Sequence, residues 1–279
     1  MGRPRHHPIL TLIVAALFVL LAACSDDGGD DGASGDGGND TDPSSSQPQE
    51  PEELRVLVTN DDGVAAAGID ALVTALEEEP ALEVIVIAPA GDRSGTGGNT
   101  TPGSPGSLAV TDTTTASGHE AVAVEGFPAD TVLHALATLD NPPDVVISGV
   151  NAGQNLGGLT EVSGTVGAAR QAAREGVPGI AVSQGIGEPP DYESGVDAAI
   201  DWLREHRDEL GGDDAAVTLV NINVPTCTAG EIRGALDVPA ATTTDNAIGT
   251  VDCASTIEDP PDDITAFNNG YTTISELSV

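Results

Sequence analysis

Apolar positions along the chain form two alternating kinds of segment. Short runs of mostly β-branched residues predict buried strands at 54–59, 83–88, 144–148, 179–183 and 217–224. Apolar residues spaced at the helical period predict helices over 68–79, 131–139, 166–175 and 194–210. Strands that alternate with helices in this way form parallel sheets with right-handed crossovers, so the pattern predicts an α/β domain.

The remaining segments are less regular. Residues 108–111 and 121–125 predict a short antiparallel pair of strands, and 271–274 predict a final strand within an otherwise polar, irregular C-terminal region. Residues 90–107 are rich in Gly, Ser, Thr and Pro and predict a long loop. Long structured loops in compact domains are disproportionately functional, so this one becomes part of the search for a site.

The N-terminal residues have a different composition from the rest of the chain. Residues 1–23 combine a basic start with an apolar stretch and end Leu21-Ala22-Ala23 before Cys24, which resembles the cleavage and lipidation signal of bacterial lipoproteins. Residues 24–53 are dominated by Gly, Asp, Ser and Pro, and this composition predicts a flexible tether that cannot bury a core. We therefore expect an exported protein, lipid-anchored at Cys24 to the outer face of a bacterial cell membrane, with its folded domain over 54–279. The alternative is an ordinary signal peptide followed by an incidental cysteine.

Charge and composition exclude several classes of function. The formal charge is -36, and all nine basic residues are Arg. Such a chain repels the phosphates of nucleic acid polymers and anionic membranes, so any membrane contact should come through the lipid alone. Aromatic residues make up 2% of the chain, which argues against a stacking platform for single strands. Cys227 and Cys253 remain in the domain, and in an oxidising compartment they are expected to form a disulfide.

Polar, glycine-rich clusters follow the first three predicted parallel strands. The first cluster is Asn60-Asp61-Asp62-Gly63, the second runs from Asp92 to Gly97, and the third runs from Ser148 to Asn155 and is followed by Ser163-Gly164-Thr165. Because the carboxyl ends of neighbouring parallel strands meet at one edge of the sheet, we expect these clusters to converge there.

The donor chemistry of the three clusters is that of a hard cation beside a phosphate. Carboxylate, Asn and Ser oxygens suit Mg²⁺ or Mn²⁺, and the amides of glycine-rich loops and of a helix N-terminus suit phosphate. Each cluster alone also has a structural interpretation: a solvated Asp-Asp-Gly turn, an Asp92-Arg93 ion pair, or an ordinary Ser163 N-cap. No GxGxxG follows the first strand, which counts against a nicotinamide enzyme.

Taken together in order, these stretches resemble the SurE family of survival-protein phosphatases, which are metal-dependent nucleotidases. The stretches that carry the resemblance are Val58-Thr59-Asn60-Asp61-Asp62-Gly63, Ala88-Pro89 with Arg93-Ser94-Gly95, Ser148-Gly149-Val150-Asn151-Ala152-Gly153 with Asn155-Leu156-Gly157, Ser163-Gly164-Thr165-Val166, and Asn221-Ile222-Asn223-Val224-Pro225. The resemblance covers the chain from Leu54 to its C-terminus.

The resemblance implies a site, residue by residue. It implies that one divalent ion, Mg²⁺ or Mn²⁺, is bound by Asp61, Asp62, Ser94 and Asn151. It implies that phosphate is bound by Asn60, Gly95, Asn155, Ser163, Gly164 and Thr165. Asp61 and Asp62 are then the catalytic residues, with Asp61 predicted to orient or deprotonate the attacking water. Which carboxylate acts as the base stays open.

The resemblance also implies a fold, a reaction and an assembly. The fold is a Rossmann-like, mostly parallel sheet with helices on both faces and an extended C-terminal segment. The reaction is hydrolysis of nucleoside 5'-monophosphates, extending to 3'-monophosphates and other small phosphomonoesters, by a homodimer or homotetramer. One alternative is a non-catalytic, lipid-anchored binding protein on the same fold. Another is a serine hydrolase, but Gly-x-Ser-x-Gly is absent and neither His119 nor His134 has a serine partner in sequence.

Overall fold

The structure is a computed structural model that describes residues 53–211 and 215–279. The predicted leader at 1–23, Cys24 and the predicted tether as far as residue 52 lie outside the described residues. Within the described ranges, no helix is both long enough and apolar enough to cross a membrane.

Within the described residues, nine strands form a single mixed sheet, in the order β3-β4-β2-β1-β5-β6-β7-β9-β8. Their bounds are β1 Leu54–Thr59, β2 Leu82–Pro89, β3 Val110–Thr114, β4 Glu120–Val124, β5 Val145–Ala152, β6 Gly179–Gln184, β7 Leu219–Val224, β8 Ala235–Asp237 and β9 Thr272–Glu276. Strands β4, β2, β1, β5, β6 and β7 run parallel, while β3 pairs antiparallel with β4 and β9 pairs antiparallel with β7. The central strands are buried and most of their residues are apolar, although β5, β6 and β7 also bury polar side chains such as Ser148, Ser183 and Asn221.

Helices cover both faces of this sheet. Their bounds are α1 Ala67–Glu78, α2 Pro128–Thr138, α3 Gly164–Arg174, α4 Tyr192–His206 and α5 Asp263–Asn268. Helices α1 and α4 pack together over one core cluster that includes Ile69, Leu72 and Trp202, and α2 and α3 pack over the opposite face on Leu57, Val132 and Ala168. The predicted α/β fold with a mostly parallel sheet is confirmed.

Differences from the predicted elements are concentrated where polar residues are buried. Strand β1 has its predicted bounds, but β5 continues past Ser148 to Ala152, because its polar end still pairs with β6 through Asn151 and Ser183. The predicted helix over 166–175 begins earlier, at Gly164, after its N-cap Ser163. Strand β8 and helix α5 were not predicted, and both are short elements in the polar C-terminal region.

The C-terminal region is held by specific ties rather than by a large core. Cys227 is bonded to Cys253, with 5.8 Å between their Cα atoms, as the sequence led us to expect. Asp263, at the start of α5, accepts backbone hydrogen bonds of 2.8 Å from Gly157 and Ala241 as well as from its neighbour Ile264. These contacts fix the segment between β8 and α5 against the loop that follows β5.

Candidate metal and phosphate site

The loops after β1, β2 and β5 meet at one edge of the sheet, as predicted. These three strands are adjacent and parallel, so their carboxyl ends lie side by side. The loops are also tied directly to one another: the Arg93 amide donates to the Asp61 carbonyl at 2.7 Å, and the Val64 amide donates to the Pro89 carbonyl at 2.9 Å. The acid pair after β1 is therefore framed by both neighbouring loops.

Asp61 lies at the N-terminus of α3. Its side chain is 3% exposed, and its Oδ1 accepts a 2.7 Å hydrogen bond from the hydroxyl of Thr165. Burial raises the pKa of Asp61, the hydroxyl and amide of Thr165 oppose that rise, and the charge of Asp92 adds to it. Gly164 makes the approach possible, because a Cβ there would lie 2.7 Å from the Cβ of Asp61. The helix N-terminus therefore holds a protein carboxylate close to the place where phosphate was predicted.

Asp62 is more open than Asp61 and is coupled to it. Burial, followed by the charge of Asp61, raises the pKa of Asp62 to about 6, and the Ala152 amide partly offsets this. Among the described residues neither acid forms an ion pair with a basic side chain. Two adjacent, partly desolvated carboxylates without a cation are unfavourable in isolation, and a bound cation would relieve that cost.

The loop after β2 contributes Ser94, and Asp92 orients it. Asp92 Oδ1 accepts from both the amide and the hydroxyl of Ser94, at 2.8 and 2.6 Å. These hydrogen bonds, together with the charge of Arg93, outweigh desolvation and lower the pKa of Asp92. The alternative of an Asp92-Arg93 ion pair is not found among the described residues, where the Arg93 guanidinium lies 3.8 Å from Glu125 instead. Asp92 is thus a third acid beside the pair, one that the predicted ligand set did not include.

The end of β5 contributes Asn151, and the loop after it contributes Asn155. Asn151 donates from Nδ2 to the Gly153 carbonyl at 2.6 Å, which leaves its carboxamide oxygen available as a ligand. Asn155 donates from Nδ2 to Ser183 Oγ at 2.9 Å. Its backbone is clamped from β7, because its amide donates to Asn223 Oδ1 at 2.7 Å and its carbonyl accepts from Asn221 Nδ2 at 2.8 Å. Two buried asparagines of one strand therefore fix the position of Asn155.

Several predicted phosphate ligands have structural partners in the protein. The Asn60 carboxamide closes its own turn, donating to the Gly63 carbonyl at 2.9 Å and accepting from the Gly63 amide at 3.1 Å. Ser163 caps α3 by accepting from the Val166 amide, as its structural interpretation required, and the Thr165 hydroxyl is bonded to Asp61. Gly95 lies exposed in a turn with a φ of 72°. Phosphate contacts by these residues would use mainly backbone amides, and their assignment stays a prediction.

The donor set fits one hard divalent cation. All four predicted ligands lie at this edge and offer oxygen atoms: Asp61 and Asp62 follow β1, Ser94 lies in the loop after β2, and Asn151 lies at the end of β5. Within the described ranges, no three His, Cys, Asp or Glu residues are clustered closely enough to hold a metal. A site here would therefore combine two carboxylates with neutral oxygens, as Mg²⁺ and Mn²⁺ accept.

The histidines considered from sequence lie elsewhere. His119 is 2.9 Å from Glu77 and 3.0 Å from the Thr74 hydroxyl, so it fixes the β3–β4 hairpin against α1. His134 is partly exposed on α2. Asp92, Asn221 and Asn223 belong to stretches singled out in the sequence, but no role in the site was predicted for them. The asparagines alternate with Ile222 in a strand that is buried on both faces, and that alternation was the available signal.

Several known proteins resemble this chain in sequence and in fold. The family model described as "Survival protein SurE" matches residues 56–246. A protein of Carboxydothermus hydrogenoformans named 5'-nucleotidase SurE is 42% identical over 183 residues, covering 65% of this chain and 68% of its own. One of Dehalococcoides mccartyi with the same name is 38% identical over 243 residues, covering 80% and 88%. The crystal structure of a SurE protein from Aquifex aeolicus superposes with a TM-score of 0.64 at 27% identity, covering 80% of this chain and 92% of that one.

Proposed function

The chain belongs to the SurE family, and from this membership and the site we propose a divalent-metal-dependent phosphomonoesterase that hydrolyses nucleoside 5'-monophosphates. The products are a nucleoside and inorganic phosphate. No observation favours the alternative of a non-catalytic binding protein. Hydrolysis of 3'-monophosphates and of simpler phosphomonoesters is the finer part of the proposal.

The observation that carries the proposal is the uncompensated acid pair at the sheet edge. Asp61 and Asp62 lie where ligands of open α/β sheets bind, and no basic side chain of the described residues neutralises them. Ser94 and Asn151 supply neutral oxygens on the two flanking loops. A binding protein for an anion alone would not bring two carboxylates to this position, since they would repel the ligand.

Each residue then has a defined part in hydrolysis. Asp61, Asp62, Ser94 and Asn151 would hold the cation, which when bound supplies positive charge that polarises the phosphate and favours deprotonation of water. Thr165 fixes one oxygen of Asp61, so that the carboxylate keeps a single orientation. Asp62 is the more open of the two acids and is better placed than Asp61 to accept the proton of the attacking water. The α3 N-terminus and the Gly95 turn supply amides to the phosphate.

The test measures phosphate release from AMP by purified protein. Stripping with EDTA should abolish turnover, and adding back Mn²⁺ or Mg²⁺ should restore it, because the acid pair then regains its countercharge. The add-back series also identifies the preferred metal. Turnover that is unaffected by chelation would contradict the metal site, and a protein inactive with every divalent ion and every phosphomonoester would contradict the enzyme.

The proposed location rests on the leader and on the disulfide. The family match begins at residue 56, after the predicted signal and tether, and the Cys227–Cys253 bond suits an oxidising compartment. We propose an exported enzyme lipid-anchored through Cys24. Labelled palmitate should be incorporated by the full chain and lost in Cys24→Ala, and labelling that survives the substitution would contradict the anchor.

The proposed assembly is a homodimer or homotetramer, as the family resemblance implies. Sedimentation equilibrium of the domain that begins at Leu54 measures it directly. A monomer at micromolar concentration with full activity would contradict the proposed assembly without affecting the proposed reaction.

A further inference from the structure

Three exposed large apolar side chains lie on segments that border or contact the loop after β5. Among the described residues, the three most exposed are Ile248 at 68%, Ile186 at 65% and Val162 at 56%. Ile186 lies in the loop after β6, and Val162 immediately precedes the N-cap of α3, so both are at the carboxyl edge of the parallel strands. Ile248 belongs to the segment between β8 and α5. Single exposed apolar residues are common, but a group beside a ligand site is typical of a binding surface.

One buried side chain links the two isoleucine loops. The carboxamide of Gln154, only 7% exposed, accepts at Oε1 from the Ile186 amide and donates from Nε2 to the carbonyl of Ala247, both at 3.2 Å. Gln154 itself lies between Asn151 and Asn155, in the loop that supplies the predicted metal and phosphate ligands. Ile186 therefore contacts the loop after β5 through its own amide, and Ile248 directly follows Ala247, whose carbonyl contacts the same loop.

Both loops also rest on a common apolar support. Phe267 of α5 is fully buried; it packs in one cluster with Ala247 and lies 2.9 Å from the position that a Cβ on Gly185 would take. Ala247 and Gly185 directly precede Ile248 and Ile186. The backbones next to the two isoleucines are thus held against the interior, while the isoleucine side chains are exposed. This arrangement pre-organises two apolar side chains beside the candidate site.

From these contacts we propose that Ile186 and Ile248 form the subsite for the organic leaving group, with the flat nucleobase of a nucleoside monophosphate as its occupant. Gln154 is the positioning residue that sets the spacing of the two loops. The proposal rests on the proposed function, because the phosphate site fixes where the leaving group must lie. A nucleobase presents apolar faces and carries no net charge, so this strongly acidic chain does not repel it.

The test compares two substrates that share a phosphate and a ribose but differ in the base. KM and kcat are measured for AMP and for ribose 5-phosphate with the wild-type enzyme, Ile186→Ser, Ile248→Ser and the double variant. Each single substitution should raise KM for AMP about fivefold, and the double variant about twentyfold, with ribose 5-phosphate unchanged. Ile257→Ser is the matched control, because Ile257 is 47% exposed in the C-terminal region and has no contact with Gln154. It should alter neither substrate.

A conservative change at Gln154 tests the positioning role. Gln154→Met keeps the volume but removes both hydrogen bonds, so KM for AMP should rise as in the double variant while Mn²⁺ affinity and turnover of ribose 5-phosphate stay within about twofold. Equal effects on both substrates, or none on AMP, would overturn the subsite. A change of oligomeric state in the serine variants without any change in the substrate ratio would also overturn it and make this rim a contact between copies. Failure of the proposed function is distinct: the wild-type enzyme would then hydrolyse neither substrate.

Discussion

The parallel half of the sheet and the C-terminal region both place polar groups at fixed positions, but they do so by different means. At the edge formed by β2, β1 and β5, regular strands deliver acids and amides to one place, and a large apolar core beneath holds them there. The C-terminal region beyond β7 has short elements, a small core around Phe267, a disulfide and a buried aspartate. The first region concentrates chemistry, and the second depends on individual ties.

The difference predicts which substitutions affect activity and which affect stability. In the first region, the acid pair is an electrostatic cost that the core tolerates, so its removal should leave the fold intact. In the second region, a small number of contacts stabilise the structure, so the loss of any one should lower the free energy of unfolding.

Neutralising either acid should separate activity from stability most clearly. Asp61→Asn or Asp62→Asn should lower turnover of AMP roughly 1000-fold, which corresponds to about 4 kcal/mol of transition-state stabilisation. The melting temperature should be unchanged or higher, because one of two repelling charges is gone. Phosphate release from AMP and thermal unfolding measure the two effects. Asp112→Asn on β3 is the control, an exposed acid outside the site. A strongly destabilised variant would break the comparison.

Removing the disulfide should do the reverse. Cys227→Ser with Cys253→Ser releases a loop with a sequence separation of 26 residues, which should lower the free energy of unfolding by about 3 kcal/mol. Affinity of the folded protein for Mn²⁺ should stay within about twofold, since no predicted ligand lies in that loop. Urea denaturation and metal titration provide the measurements. Loss of metal binding under folding conditions would show that the two regions are not separable.

Asp263 connects the two regions, because it accepts hydrogen bonds from Gly157 in the loop after β5 and from Ala241 in the C-terminal region. Its substitution tests how far the C-terminal contacts influence the site loop. Asp263→Asn cannot accept all three backbone hydrogen bonds, so the free energy of unfolding should fall by about 2 kcal/mol. Because Gly157 loses its partner, hydrogen exchange should accelerate in the loop after β5 as well as around α5. Asp259→Asn serves as the matched control, an exposed acid of the same segment. Faster exchange confined to α5 would mean that the tie does not reach the site loop.

Acid pH should loosen the long loop after β2 through Asp130. Burial raises the pKa of this acid, but hydrogen bonds from the Phe127 amide and from the hydroxyl and amide of Thr101 outweigh it and lower the pKa below 3.8. A lowered pKa stabilises the folded state above the unfolded value and loses that contribution as pH falls through the folded value.

Asp130→Asn should therefore cost about 1 kcal/mol near pH 7, and its difference from the wild-type protein should be smaller at pH 3, because the contribution declines once the pH falls below the unfolded value of 3.8. Urea unfolding at both pH values measures the difference. The exposed Asp140→Asn variant on the chain after α2 is the control. If the difference in free energy of unfolding between the variant and the wild-type protein persisted at acid pH, the effect would come from packing rather than from ionisation of Asp130.

The sequence predicts most elements of the parallel half, because there the spacing of apolar residues along the chain matches the residues that are buried in the fold. The LRVLVT run has the predicted bounds of β1 since every residue is apolar or β-branched except Arg55, whose side chain reaches Glu83 at the surface. Helix α5 escaped prediction because it has only six residues, although Asp262 at its N-cap is a recognisable start. Short elements fixed by distant partners leave little periodicity in the sequence.

The candidate site likewise has features that the sequence could predict and features that it could not. Convergence of the three loops follows from strand order and could be predicted, as could the types of donor. The partners of Asn60 and Thr165 could not, because a hydroxyl or amide has several possible partners within reach and only the folded backbone selects one. Asn221 and Asn223 show the converse: their polarity in a buried strand signals a partner but does not identify Asn155.

Helix α3 also determines where this protein can be altered by design. Besides Gly164 against Asp61, a Cβ on Gly167 would lie 2.2 Å from the Gly97 carbonyl oxygen, so the first two turns of the helix touch two site loops through backbone. A library that varies either glycine would mostly return unfolded or misassembled chains. Randomising residues 186 and 248, which no backbone crowds, offers a wider search for altered substrate range at little risk to the fold.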